Sequence, residues 1–170
     1  MIIKVIPNTL GTSVENRING LSDYIHNPNQ TRIDYLSDYI TQLHASFSHE
    51  LISEKCVYSN SRNFLDDNIE YQKIEMSQTA SLNTRVDDPI VHIVGSFKKF
   101  EVPTIQQLEE QIDILSKHLK ADDLQMQYAL HMDTDNVHFH LIINRIHPYR
   151  KNSHNEHQAV ELGDGWILNA

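Results

Sequence analysis

One cysteine, Cys56, stands in 170 residues, so no internal disulfide can form and the fold has to rest on its apolar core. Cys56 lies in no nucleophile motif, and a small buried hydrophobe is its expected role. Glycine and proline are few, at five each, and the apolar fraction of 39% is ordinary, as expected of one domain long enough to bury a real core. No apolar run is long enough to span a bilayer. The start, Met1-Ile2-Ile3-Lys4-Val5-Ile6-Pro7, is a short β-like run closed by proline, without the longer apolar segment of a signal peptide. A cytoplasmic protein with no membrane insertion is the expectation. Positive charge is also short, with 14 Lys and Arg against 23 Asp and Glu for a formal net charge of −9. That balance excludes a generic nucleic-acid coat, since phosphate binding rests on Lys and Arg. It leaves room only for a local patch, for which Lys98-Lys99, Arg145 and Arg150-Lys151 are on offer. A Gly-rich phosphate loop and a Gly-x-Ser-x-Gly elbow are both missing, which removes the commonest nucleotide-binding and acyl-transfer chemistries.

What the chain does have is histidine. His131-Met132-Asp133-Thr134-Asp135-Asn136-Val137-His138-Phe139-His140 holds three in ten residues and runs into Leu141-Ile142-Ile143-Asn144-Arg145. Side chains alternate along a strand, so His138 and His140 must share a face. If the segment ending at His131 folds back as an antiparallel partner across a Thr134-Asp135-Asn136 turn, pairing Asp133 with His138 sets His131 opposite His140 on that same face. A slip of one residue would send His131 to the other side. Three neutral imidazoles with an open position are the usual ligand set of a catalytic metal, whereas structural zinc is normally closed by a fourth protein ligand.

Around this stretch the pattern gives a strand over residues 2–6. A helix follows, with Thr12 as N-cap, Glu15 at N3 and an apolar face of Val14, Ile18, Leu21 and Ile25. Tyr24 sits beside that face, where position alone would make it a packing residue. The pentad Leu21-Ser22-Asp23-Tyr24-Ile25 recurs as Leu36-Ser37-Asp38-Tyr39-Ile40, so Tyr35 and Tyr39 compete with Tyr24 for any special role. Residues 31 to about 50 read as helix, 55–58 as strand, 64–76 as helix and 77–89 as loop. Ile90-Val91-His92-Ile93-Val94 reads as a buried central strand. Thr104 and Gln107 form a capping box for a helix whose apolar face is Ile105, Leu108, Ile112, Leu115 and Leu119. After the histidine hairpin, Pro148 closes a strand and a polar tail follows. The order predicts a single α+β domain, a mainly antiparallel sheet with helices on one face.

Three of these stretches, in this order, resemble the motifs of the relaxases of conjugative and mobilisable plasmids, in particular the P-type mobilisation branch that includes the IncP TraI-like proteins. They are Leu21-Ser22-Asp23-Tyr24-Ile25, then Asn83-Thr84-Arg85 with His92-Ile93-Val94-Gly95-Ser96-Phe97 and Glu101-Val102-Pro103, then the histidine stretch continued through Asn144-Arg145-Ile146-His147-Pro148. Two positions depart from that pattern: Gly95 stands where the family more often has an apolar residue, and Phe100 where it more often has glycine.

The resemblance implies the fold of the His-hydrophobic-His endonucleases and a site-specific, strand-specific DNA transesterase acting at the nick site of an origin of transfer. Tyr24 would be the nucleophile, leaving a 5′-phosphotyrosine and a free 3′-hydroxyl. His131, His138 and His140 would hold a divalent metal, Mn or Mg, with Zn allowed by the same ligands. Asp133 and Glu101 would orient a ligating histidine or accept a proton. Ser96 would hold DNA beside the nick, and Arg85, Lys98, Lys99, Asn144 and Arg145 would contact phosphates or bases. The implied partners are single-stranded DNA at the origin of transfer, accessory relaxosome proteins and a type IV secretion coupling protein. A chain of this length is also expected to lack C-terminal helices that such domains carry. Other readings compete: a rolling-circle replication initiator or single-strand transposase, whose tyrosine usually follows the histidines; a metal-stabilised module that binds DNA or protein; and a metal-dependent hydrolase of small substrates.

Overall fold

The computed structural model describes residues 1–7, 13–26 and 56–162; the helix expected over 31–50, with Tyr35 and Tyr39, lies outside them. Strands β1 (Ile2–Ile6), β2 (Cys56–Arg62), β3 (Ile90–Ser96), β4 (Met126–His131) and β5 (His138–Asn144) form one antiparallel sheet in the order β1-β3-β5-β4-β2. Three helices, α1 (Val14–His26), α2 (Ile69–Ser81) and α3 (Ile105–Leu119), pack on it, and β6 (Ile146–Lys151) pairs with β7 (His157–Ala159) in a separate hairpin.

The helices cover both faces of the sheet rather than one. Tyr128, Leu130, Met132, Phe139, Leu141 and Ile143 meet Leu108, Ile112, Leu115 and Leu119 of α3. The alternate residues Ala129 and Ile142, with Ile90 and Cys56, meet Ile18 and Ile25 of α1 and Met76 and Ala80 of α2. The reason is in the strands: β4 is buried at all six positions, and the unbroken run Leu141-Ile142-Ile143 offers apolar surface to both sides. Each fully buried Leu or Ile of this core contributes about 1.5–3 kcal/mol relative to exposure.

Helix ends follow local hydrogen bonding. The cap of α1 is one residue later than expected, since Ser13 Oγ accepts from Asn16 N at 3.2 Å; Thr12 lies outside the described residues. The second helix is displaced from the expected 64–76 because Asp66-Asp67-Asn68 is its entrance and not its interior. Asp66 accepts from Asn68 N, and Asn68, the N-cap, accepts from Glu70 N. Residues 77–81, expected as loop, complete this helix. The capping box of α3 is present in both directions, Gln107 N to Thr104 Oγ1 at 3.1 Å and Thr104 N to Gln107 Oε1 at 2.9 Å. Pro148 does not end β6; it sits within a strand paired on one side only, where a missing N–H is tolerated.

Candidate metal centre

The β4–β5 hairpin places His131 opposite His138 and Ala129 opposite His140. The expected pairing of Asp133 with His138 is therefore off by two residues, and residues 132–137 all belong to the connection. A shift of two preserves side-chain parity, so the three rings still share a face. Their centroids are 4.5 Å (His131–His140), 5.1 Å (His138–His140) and 5.4 Å (His131–His138) apart. One ligand atom from each lies within 4.8 Å of the others, the one such group among the described residues.

Whether these rings fit a cation is decided by the nitrogen that each turns outward. His131 Nε2 is 2.9 Å from the carbonyl of Ile25; a carbonyl only accepts, so Nε2 carries the proton and Nδ1 keeps the lone pair. His138 Nδ1 is 3.1 Å from the carbonyl of Asn136, which leaves its Nε2 as the lone-pair nitrogen. His140 Nδ1 is 2.9 Å from Nε2 of His92, with the two rings stacked at 5.1 Å. Burial first, then the charges of Arg17 and His131, push His92 down to about 4, so it is neutral near pH 7. A neutral His92 can accept the Nδ1–H of His140, the tautomer in which His140 offers Nε2 to a ligand. Each imidazole is thus anchored through one nitrogen and holds the other for a ligand, the arrangement in which metal-binding histidines are usually found. The donor set fits a divalent transition ion.

His92 is the functional residue that sequence reasoning left out of the site. It is opposite Ile142 on β5, one diagonal step from His140, whose direct partner is Val94. The signal was its place in an otherwise apolar strand, but that signal becomes specific only once β3 is known to pair with β5.

Tyr24 reaches the cluster because α1 ends there. Ile18, Ser22 and Ile25 are fully buried beneath the helix, and the Ile25 carbonyl, one of the last-turn acceptors a helix leaves open, is bonded by His131. The Tyr24 ring, 45% exposed, stands edge-on to His140 at 5.2 Å and is 5.8 Å from His131. Its phenol is raised above 10, by burial first and then by the charge of Asp133. Asp133 Oδ1 lies 3.8 Å from His138 Nε2, on the lone-pair side of that ring. It does not sit behind the ring, where an orienting carboxylate would have to be.

Other predicted residues fall into two groups. Ser96 ends β3 opposite His138, and Lys98 and Lys99 follow on a loop tied to the hairpin by Lys99 Nζ to Asp135 at 2.9 Å and Phe97 N to Val137 O at 2.9 Å. Glu101 closes that loop, its carboxylate accepting from Lys98 N at 3.2 Å. Asn144, Arg145 and Arg85 are held elsewhere. Asn144 is fully buried at the far end of β5, donating to Met76 O and Gln125 Oε1. Arg145 binds the carbonyls of Val160 and Asp88, and Arg85 pairs with Glu156 by the β6–β7 hairpin. Gly95 has a local reason: a Cβ there would stand 2.2 Å from the ring of Phe139, the residue between His138 and His140.

The family model for relaxases, described as the MobA/VirD2-like nuclease domain, matches residues 39–162. The chain is 45% identical over 97 residues to a protein MobA of Acidithiobacillus ferrooxidans, covering 57% of this chain and 22% of that one. It is 36% identical over 86 residues to a protein TraI of Escherichia coli, covering 50% and 12%, and 38% identical over 84 residues to a second TraI of Escherichia coli, covering 47% and 11%. The matched segments thus span under a quarter of each relative. Tyr24 precedes the span of the family match, so its standing depends on geometry.

Proposed function

Since this chain belongs to the relaxase family of MobA/VirD2-like nuclease domains, we propose that it nicks one DNA strand at a plasmid origin of transfer through Tyr24, and that it works in the cytoplasm. The observation that carries this reading is the tyrosine ring 5.2 Å from His140, on a helix whose last-turn carbonyl at Ile25 holds His131. Similarity to TraI proteins over half of the chain is in keeping with the P-type branch. Single-stranded DNA at the origin is the substrate in this reading, with accessory relaxosome proteins and a type IV secretion coupling protein as partners.

The phenolate oxygen of Tyr24 attacks the scissile phosphorus, the bond from phosphorus to the 3′ oxygen breaks, and that oxygen takes up a proton. One phosphodiester is exchanged for another, a 5′-phosphotyrosine, so the free 3′-hydroxyl can reverse the step. A phenol held above its ordinary value is a poor nucleophile near neutrality, and Asp133, whose charge acts on that phenol, is the group that would take the proton. His131, His138 and His140 would hold a divalent cation, Mn or Mg with zinc as a third choice, which when bound supplies charge neutralisation at a non-bridging phosphate oxygen. Three nitrogen donors suit Mn better than Mg. Ser96, Lys98 and Lys99, beside His138 and its turn, are suited to the flanking phosphates.

The test is covalent capture. With Mn²⁺ and single-stranded origin oligonucleotides, wild type, Tyr39→Phe and Tyr149→Phe form a protein–DNA adduct, and Tyr24→Phe does not. An adduct that survives Tyr24→Phe moves the nucleophile and sinks this assignment. A replication initiator or transposase would need Tyr149, the tyrosine that follows the histidines; its ring lies instead against His147 at 6.3 Å.

A further inference from the structure

Phe100 occupies a position that suits glycine and presents a ring to solvent. It is the third residue of the turn closed by Glu101 N to Lys98 O at 2.9 Å, and its φ is 70°. A positive φ at that point of a turn is adopted freely by glycine and against steric resistance by a bulky side chain. The other described non-glycine residues with positive φ are Asn63 and Asn155, a residue type that tolerates it, and Lys120, the left-handed cap of α3. The Phe100 ring is 78% exposed, so packing does not offset the backbone strain. The ring's recorded contact, the Lys99 ammonium 5.4 Å from its centroid, leaves it exposed and is a small return for that strain, which points to a ligand.

The surroundings say which ligand. Lys99 Nζ lies 5.4 Å from the ring centroid and 2.9 Å from Asp135 on the histidine turn, and Lys98 precedes it, also exposed. The loop leaves β3 at Ser96, directly opposite His138. An exposed aromatic ring that follows two exposed lysines, on a loop tied to the histidine turn in a chain of net charge −9, combines the two elements of single-strand recognition, a surface on which a base stacks and cations for the backbone.

We propose that Phe100 is a stacking platform for an unpaired nucleobase next to the scissile phosphate, with Lys98 and Lys99 on the adjoining backbone. This rests on the relaxase reading, because it requires a single strand to run past the histidines. The ring needs a π face, which leucine lacks and tryptophan enlarges.

The experiment compares wild type, Phe100→Gly, Phe100→Leu and Phe100→Trp by fluorescence anisotropy on a labelled single-stranded origin oligonucleotide in chelator, alongside thermal melting and adduct formation with Mn²⁺. Glycine relieves the turn and is expected to raise the melting temperature by about 1–4 °C while weakening single-strand binding ~5- to 100-fold. Leucine weakens binding similarly, and tryptophan restores it. Binding by Phe100→Gly within twofold of wild type, in a protein that still forms the adduct, overturns the platform and leaves the relaxase reading standing. A lower melting temperature for Phe100→Gly makes the ring structural and also overturns it. If wild type neither binds the oligonucleotide nor forms the adduct, the relaxase reading falls and this inference falls with it.

Discussion

Replacing His92 by phenylalanine removes one acceptor from behind one ligand and leaves most of the stack in place. The His92 ring lies 5.1 Å from that of His140 at an interplanar angle of 27°, so a phenyl ring can keep the contact while deleting the nitrogen 2.9 Å from His140 Nδ1. Two routes give the magnitude. Loss of a hydrogen bond that orients a metal-ligating histidine typically weakens metal binding 10- to 100-fold, or about 1.4–2.7 kcal/mol. A buried donor that loses its acceptor costs about 1–3 kcal/mol. The two estimates overlap, so the Mn²⁺ dissociation constant of His92→Phe, measured by calorimetry or chelator competition, is expected to rise by one to two decades. The Mn²⁺ concentration for half-maximal nicking should rise in parallel while the plateau stays near wild type. His92→Gln, which offers an amide oxygen to the same N–H, should recover part of the loss. Wild-type metal affinity in a folded His92→Phe protein refutes the reasoning, and so does a collapsed plateau with an unmoved midpoint.

Acid stability follows from the same residue. A histidine whose folded value is about 4 resists a proton that the unfolded chain accepts near 6.5, so stability is full above pH 6.5 and falls as pH drops toward 4, by at most about 3 kcal/mol. Urea midpoints of wild type should therefore decline across that window and those of His92→Phe should decline less; parallel curves would discount the shift. Gly95→Ala forces a methyl into a space where a Cβ already meets Phe139 at 2.2 Å. Overpacking of this kind costs about 1–3 kcal/mol, and because Phe139 lies between two ligands the variant should also bind Mn²⁺ more weakly. Equal urea midpoints for the two proteins would show that Phe139 can move aside.

Periodic features were readable in the sequence because they are local. The apolar face of α3, its capping box, the central strand at Ile90 and the same-face relation of His138 and His140 all depend on spacing alone. Features that depend on pairing were not. The polar residues Thr134-Asp135-Asn136 announce a turn without saying how many neighbours it takes, hence a register two residues off; the three histidines still share a face because an even shift cannot change faces. Asp66-Asp67-Asn68 looks like a weak helix interior until the cap bonds are seen. Asn144 and Arg145 read as polar groups for DNA because residue type alone cannot distinguish a phosphate ligand from a buried side chain that satisfies backbone carbonyls. Helices on both faces were foreshadowed by Leu141-Ile142-Ile143, an unbroken apolar run that a sheet with one solvated face would not need.

The three acceptors behind the ligands come from three parts of the fold: the end of α1 through Ile25, the hairpin turn through Asn136, and β3 through His92. The hairpin alone therefore brings the rings together and, through Asn136, fixes the tautomer of His138 only. The nitrogen left opposite the anchored one is Nδ1 in His131 and Nε2 in the other two, because the groups behind the rings differ and not because the strand requires it. For His131 and His140 the choice of the outward nitrogen is consequently a property of the assembled domain, made when α1 is docked and β3 is paired. The same docking carries Tyr24 to within 5.2 Å of His140. A metal-ready histidine set and a tyrosine beside it are thus one packing event, with the Ile25 carbonyl as the joint between them.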